Sequence, residues 1–104
     1  MSFLKLEVFI PKGFEMTIIE ALHSAGFLRE GAYDYCYATS LVKGNFRPLG
    51  GAQAFMGEIN QQTEVDEIKL ECRIPSNRRV EVDTLIRLAH PYEIPVMNFM
   101  ALVD

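Results

Sequence analysis

Apolar and polar residues alternate from the start of the chain. Leu4, Leu6, Val8 and Ile10 share one parity, Lys5, Glu7 and Phe9 the other, and Pro11-Lys12-Gly13 closes the run. A period of two predicts a strand with one buried face. From Glu15 the period lengthens. Met16, Ile19, Leu22 and Ala25 recur every three or four residues, placing them on one face of a helix that Gly26 can stop. His23 lies beside that stripe with no ligand-type residue four positions on, so it reads as a surface or boundary histidine.

After a turn through Gly31, alternation returns from Tyr33 to Val42. Tyr33, Tyr35, Tyr37, Thr39 and Leu41 form one side of this expected strand; Asp34, Cys36, Ala38, Ser40 and Val42 form the other. The small residues suit a face pressed under helices. The tyrosine row carries too much apolar area to leave in water, while its hydroxyls tolerate polar neighbours, so it is expected at an interface. Gly44 to Gly57 then reads as a connection longer than a hairpin needs, with Gly44, Gly50, Gly51, Gly57 and Pro48 in it. It ends in no Gly-Lys-Ser/Thr and precedes no helix, so it is not a phosphate loop. An ordered flap held down by Phe46, Phe55 and Met56 and a ligand-binding loop both remain open.

Glu64 to Ile74 gives the clearest strand: Ile68, Leu70, Cys72 and Ile74 on one side, Glu67, Lys69, Glu71 and Arg73 on the other. Glu64, Asp66, Glu67 and Glu71 could serve acid/base chemistry, although a charged strand side is ordinarily a solvated face or interface rim. Pro75-Ser76 opens a second helix, capped by Ser76 or Asn77, with Val82, Leu85, Ile86 and Ala89 inward. Pro91 disfavours helical geometry at His90 and ends it there. Ile94 to Val103 reads as the last strand.

The order strand–helix–strand–strand–helix–strand, with right-handed crossovers, predicts an α+β fold: a ferredoxin-like βαββαβ sandwich, a four-stranded antiparallel sheet with two helices on one face. The other face would be bare, carrying Tyr33, Tyr35 and Tyr37 with Phe3 or Phe9 and Phe99. A bare apolar face of this kind predicts self-association.

Composition narrows the classes. The 104 residues make a single domain, 1–104, and 49% hydrophobic with 23% charged residues is a globular balance. A net charge of −4, with Arg78-Arg79 the densest basic pair, argues against nucleic-acid binding. No apolar run approaches the roughly 18 residues that span a bilayer. The N-terminus lacks the basic region and apolar core of a signal peptide, so a cytoplasmic protein is expected. Cys36 and Cys72 are too few for a disulfide framework or four-ligand zinc site and read as small apolar side chains.

The densest chemistry is His90-Pro91-Tyr92-Glu93-Ile94-Pro95. Imidazole and carboxylate three residues apart make His90 and Glu93 candidate ligands for a divalent metal, zinc or copper, with a neighbouring subunit completing the site. A histidine at a helix C-terminus also complements the helix dipole and caps free carbonyls without any metal. Tyr92 and Glu93 are candidates for an acid and a base in a small enzyme, with no substrate indicated.

In order, Lys5-Leu6-Glu7-Val8-Phe9-Ile10-Pro11, Ala25-Gly26, Gly31-x-Tyr33-x-x-Cys36, Gly44-x-Phe46-x-Pro48, Gly57, Glu64-Val65-x-Glu67 and His90-Pro91-Tyr92-Glu93 make a series along nearly the whole chain. It resembles the inserted domain of the NGG-one-interacting factor three family, also called YqfO-like proteins, here as a standalone chain. The resemblance implies a PII/CutA-like fold and a homotrimer built on the open sheet face. It puts residues 44–57 where PII proteins carry the mobile loop that meets ligands and partners. The family's dinuclear metal centre draws its ligands from flanking regions outside these 104 residues, so that centre and its hydrolase activity are not expected to transfer. The family's His-Pro-Tyr-Glu-Glu-Pro reads here with Ile94 in place of the second Glu. The leading expectation is a non-catalytic oligomeric regulatory or ligand-binding module, displaying the loop to a small molecule or protein partner; the alternative is a CutA-like metal-binding protein using His90 and Glu93.

Overall fold

The structure, a computed structural model, describes residues 2–103. Strand β1 (Phe3–Pro11) leads to helix α1 (Glu15–Ser24), then β2 (Ala38–Phe46) and β3 (Thr63–Pro75). A single 3-10 turn, Ser76–Arg78, opens into α2 (Arg79–Ala89), and β4 (Met97–Ala101) closes the sheet. The four strands stand in the order β2-β3-β1-β4, with every neighbouring pair antiparallel. The fold is the expected ferredoxin-like sandwich.

Register explains the core. Leu6 faces Cys72 on one side and Phe99 on the other; Val8 faces Leu70 and Met97. These positions share the face under the helices, where Ile18, Ile19 and Leu22 of α1 and Val82 and Ile86 of α2 meet Leu6, Val8, Ile10, Leu70 and Ile74. Burying each such aliphatic side chain contributes roughly 1.5–3 kcal/mol. Gly26, at φ 90, stops α1 as expected. Its N–H reaches the His23 carbonyl while that of Phe27 reaches the Leu22 carbonyl, the paired bonds of a Schellman end. Pro91 likewise stops α2: His90 is extended, at φ −82 and ψ 136.

Several expectations are corrected. Met16 is 50% exposed and Ile18 is buried instead. At about 100° per residue, Met16 lies nearly opposite Ile18 on α1. No side-chain cap hydrogen bond forms at Ser76 or Asn77, because a 3-10 turn precedes α2. β2 begins only at Ala38, so Tyr33, Tyr35 and Tyr37 are not a row on one sheet face. Tyr35 has φ 51, a left-handed conformation that breaks strand alternation. Its ring stacks on His23, centroids 3.8 Å apart, and its hydroxyl donates to Glu20, which holds the segment against α1 instead of the sheet. Phe99 is not on the open face either, since its register beside Leu6 turns it into the core.

The open face is therefore mixed. Its centre carries Lys5, Glu7 and Phe9 of β1 beside Lys69, Glu71 and Arg73 of β3, with a 2.5 Å ion pair between Lys5 and Glu71. At the sheet edge, β2 is uncovered on both faces along much of its length, and Leu41 is 59% exposed. β2 also runs on through Gly44 to Phe46, so the long connection spans residues 47–62 instead of 44–57. β4 is shorter than Ile94–Val103, starting after Pro95, which has no N–H for a ladder.

Candidate functional site

The turn after α2 folds back over the end of the sheet. The buried His90 ring uses both nitrogens there. Nδ1 accepts the Tyr92 N–H at 3.1 Å, which leaves the proton on Nε2, donated to the Phe9 carbonyl at 2.7 Å. Burial pushes its pKa below the ordinary histidine value, against the opposing pull of the Phe9 carbonyl and the Glu67 charge. His90 is a neutral cross-brace between the turn and β1.

That brace aims Tyr92 into the sheet end, where its hydroxyl donates to Glu67 Oε2 at 2.8 Å. Burial and this carboxylate both raise the Tyr92 pKa, so the phenol stays protonated. Glu67 sits opposite Pro11 in β1 and Val42 in β2, and is only 6% exposed. Among the described residues its second oxygen, Oε1, has no hydrogen bond. Room for the carboxylate comes from Gly44, where a β-carbon would overlap it.

The connection 47–62 arches over this centre. Glu93 Oε2 accepts the Gln53 N–H at 3.0 Å, tying loop to turn. Phe55 meets Phe14 edge-on at 5.3 Å, and both Phe46 and Phe55 stand 6.2 Å from Tyr92. Between loop, turn and sheet lies a cavity of about 440 Å³. Phe9, Phe46, Phe55, Tyr92 and Ile94 wall it, with Arg47, Glu67 and Glu93 as its charged lining. That size, an apolar wall and few polar groups characterise a small-molecule pocket.

The structure thus brings the hexapeptide and the long loop together into one site. His90 and Glu93 enter it as scaffold: both imidazole nitrogens are engaged within the chain and Glu93 is engaged by the loop. Among the described residues no three His, Cys, Asp or Glu side chains gather where one ion could be held. Zinc or copper at His90 and Glu93 would require these bonds to break, so the donor set as folded does not fit the ion. Tyr33, Tyr35 and Tyr37 do not line the pocket; they are 76%, 40% and 37% exposed, and Tyr35 packs on α1. Sequence reasoning named Glu67 as one of four strand carboxylates open to acid/base chemistry, on a side expected to be solvated, and did not single it out. The signal that could have raised it is its parity with Gly44 across the β2–β3 pair, which is invisible until the register is known.

Fold and site together define a class: a CutA-like α+β sandwich with an aromatic pocket between its long loop and the turn after α2. Superposition supports the fold. The CutA protein of Archaeoglobus fulgidus matches 98% of this chain and 85% of its own with a TM-score of 0.73 at 14% identity. A Bacillus cereus protein related to NIF3 matches 99% of this chain with a TM-score of 0.83 at 28% identity, over 26% of its own length. Over 96 residues, 92% of the chain, the sequence is 38% identical to the GTP cyclohydrolase 1 type 2 homolog of Staphylococcus epidermidis. It is 35% identical to the protein of that name from Staphylococcus aureus. The chain spans about a quarter, 26%, of these relatives' length. No family model matches it. The chain is thus similar to one segment of these NIF3-related proteins and shares its fold with CutA.

Proposed function

We propose that this chain is a non-catalytic ligand-binding or regulatory module, cytoplasmic and homotrimeric, whose ligand site is the pocket between residues 47–62 and the turn 90–95. The pocket carries this reading: a preformed cavity of about 440 Å³ walled by aromatic rings, around one buried carboxylate. Two groups at and beside it that could act as acid or base are held within the chain. His90 has no free nitrogen, and Tyr92 is a phenol held protonated by the acid it bonds. The name GTP cyclohydrolase 1 type 2 homolog belongs to relatives of which this chain spans about a quarter, so that activity is not carried over to it.

Self-association has separate support. β2 is an edge strand open on both faces, with Leu41 largely exposed, and Tyr33, Tyr35 and Tyr37 add further uncovered aromatic area. A trimer would cover such surfaces.

The test is a thermal-unfolding screen against small amphiphilic compounds, run beside Ala54→Trp, which fills the pocket from its wall. Compounds that raise Tm in the natural chain should lose that effect in the variant. No stabilising compound, or equal stabilisation of both proteins, overturns the reading.

A further inference from the structure

The pocket has an apolar, aromatic wall and a charged lining in which carboxylates outnumber cations two to one. Four rings, Phe9, Phe46, Phe55 and Tyr92, line it. Beneath them lies the Glu67 carboxylate, 6% exposed, with Oε2 taken by the Tyr92 hydroxyl and Oε1 without a hydrogen bond among the described residues. Glu67 Oε1 is not fully buried and keeps some exposure through which an entering donor can reach it. The electron-rich faces of aromatic rings attract cations, most strongly where water is excluded. Glu93 adds a second carboxylate to the lining, against a single guanidinium from Arg47. Charge, ring faces and the open acceptor agree.

We infer that the pocket takes an organic ammonium group joined to an apolar or aromatic body: the ammonium donates to Glu67 Oε1 and the body lies among Phe46, Phe55 and Tyr92. This rests on the reading of the pocket as the ligand site and adds its chemical class. The hydrogen bond from Tyr92 fixes the carboxylate rotamer before the ligand arrives, so little ordering remains for binding to accomplish. Gly44 leaves the space this carboxylate occupies, since a β-carbon there would overlap it.

The test is an amide NMR titration with three matched probes: 2-phenylethylammonium, the uncharged 2-phenylethanol and the anionic phenylacetate. The ammonium should shift Phe46, Phe55, Glu67 and Tyr92 resonances and bind at least about tenfold tighter than the alcohol, the scale of one charge-assisted hydrogen bond. Phenylacetate should bind weakest. Glu67→Gln keeps the side-chain shape and the Tyr92 contact, and should bring ammonium and alcohol to similar affinity while the spectrum stays folded. Equal affinity of ammonium and alcohol in the natural chain overturns this inference and leaves a pocket for neutral ligands. Absence of shifts at these residues with all three probes overturns the pocket reading itself.

Discussion

Glu67 is the residue on which the site turns, and its partner is Tyr92. Tyr92→Phe removes the only hydrogen-bond donor to Glu67 among the described residues and leaves a buried carboxylate unmatched. A cost of about 1–3 kcal/mol is expected, read as a lower urea midpoint. His90 sets a pH dependence. Its folded pKa is depressed below 6.5, so below that value the unfolded chain binds more protons than the folded one. The contribution is complete above about 6.5 and declines as the pH falls towards the folded value; urea midpoints should drop on acidification through this window. His90→Asn should flatten that drop, and an unchanged slope would remove His90 as its source. Cys72 is buried, which pushes its thiol pKa to about 12, whereas Cys36 is partly exposed. Alkylation of the native protein should modify Cys36 first and leave Cys72 until unfolding. At this scale the sequence showed His90, Tyr92 and Glu93 as a group because two prolines frame them. It hid Glu67, because burial of one charge in a charged row depends on what another element lays over it.

Among the elements, β2 departs most from its sequence pattern. Alternation through the tyrosines suggested a strand from Tyr33, but the left-handed Tyr35 and its stack on His23 outweigh β propensity until Ala38. The same strand then continues through Gly44, a residue that reads as a loop signal. Gly44 lies in the strand because only a residue without a side chain leaves space for Glu67. Gly44→Ala must displace a buried, hydrogen-bonded carboxylate and should cost about 1–3 kcal/mol. Gly50→Ala, in the loop with nothing near the added carbon, should be close to neutral in the same unfolding assay. Equal effects at the two positions would refute the packing argument. The strands β1 and β3 and both helices were legible because each has one buried face and a strong period. β4 was legible in part, its start set by Pro95.

The whole molecule was read correctly as a ferredoxin-like sandwich, since element order and right-handed crossovers leave few alternatives. The pocket was not legible as a pocket: its walls come from β1, β2, the connection 47–62 and the turn after α2, far apart in sequence. The surface expected to drive assembly also changed, from an apolar sheet face to a mixed one plus an uncovered edge at β2. Leu41→Lys, at that edge, should weaken self-association without altering the core, measured by sedimentation velocity. The most direct test of a ligand-binding trimer is native mass spectrometry of the gently purified chain beside Ala54→Trp. A species of three 11.8 kDa chains, carrying added small-molecule mass that the variant loses, is the predicted result. A bare monomer in both proteins, unchanged by the compounds of the unfolding screen, would contradict the account.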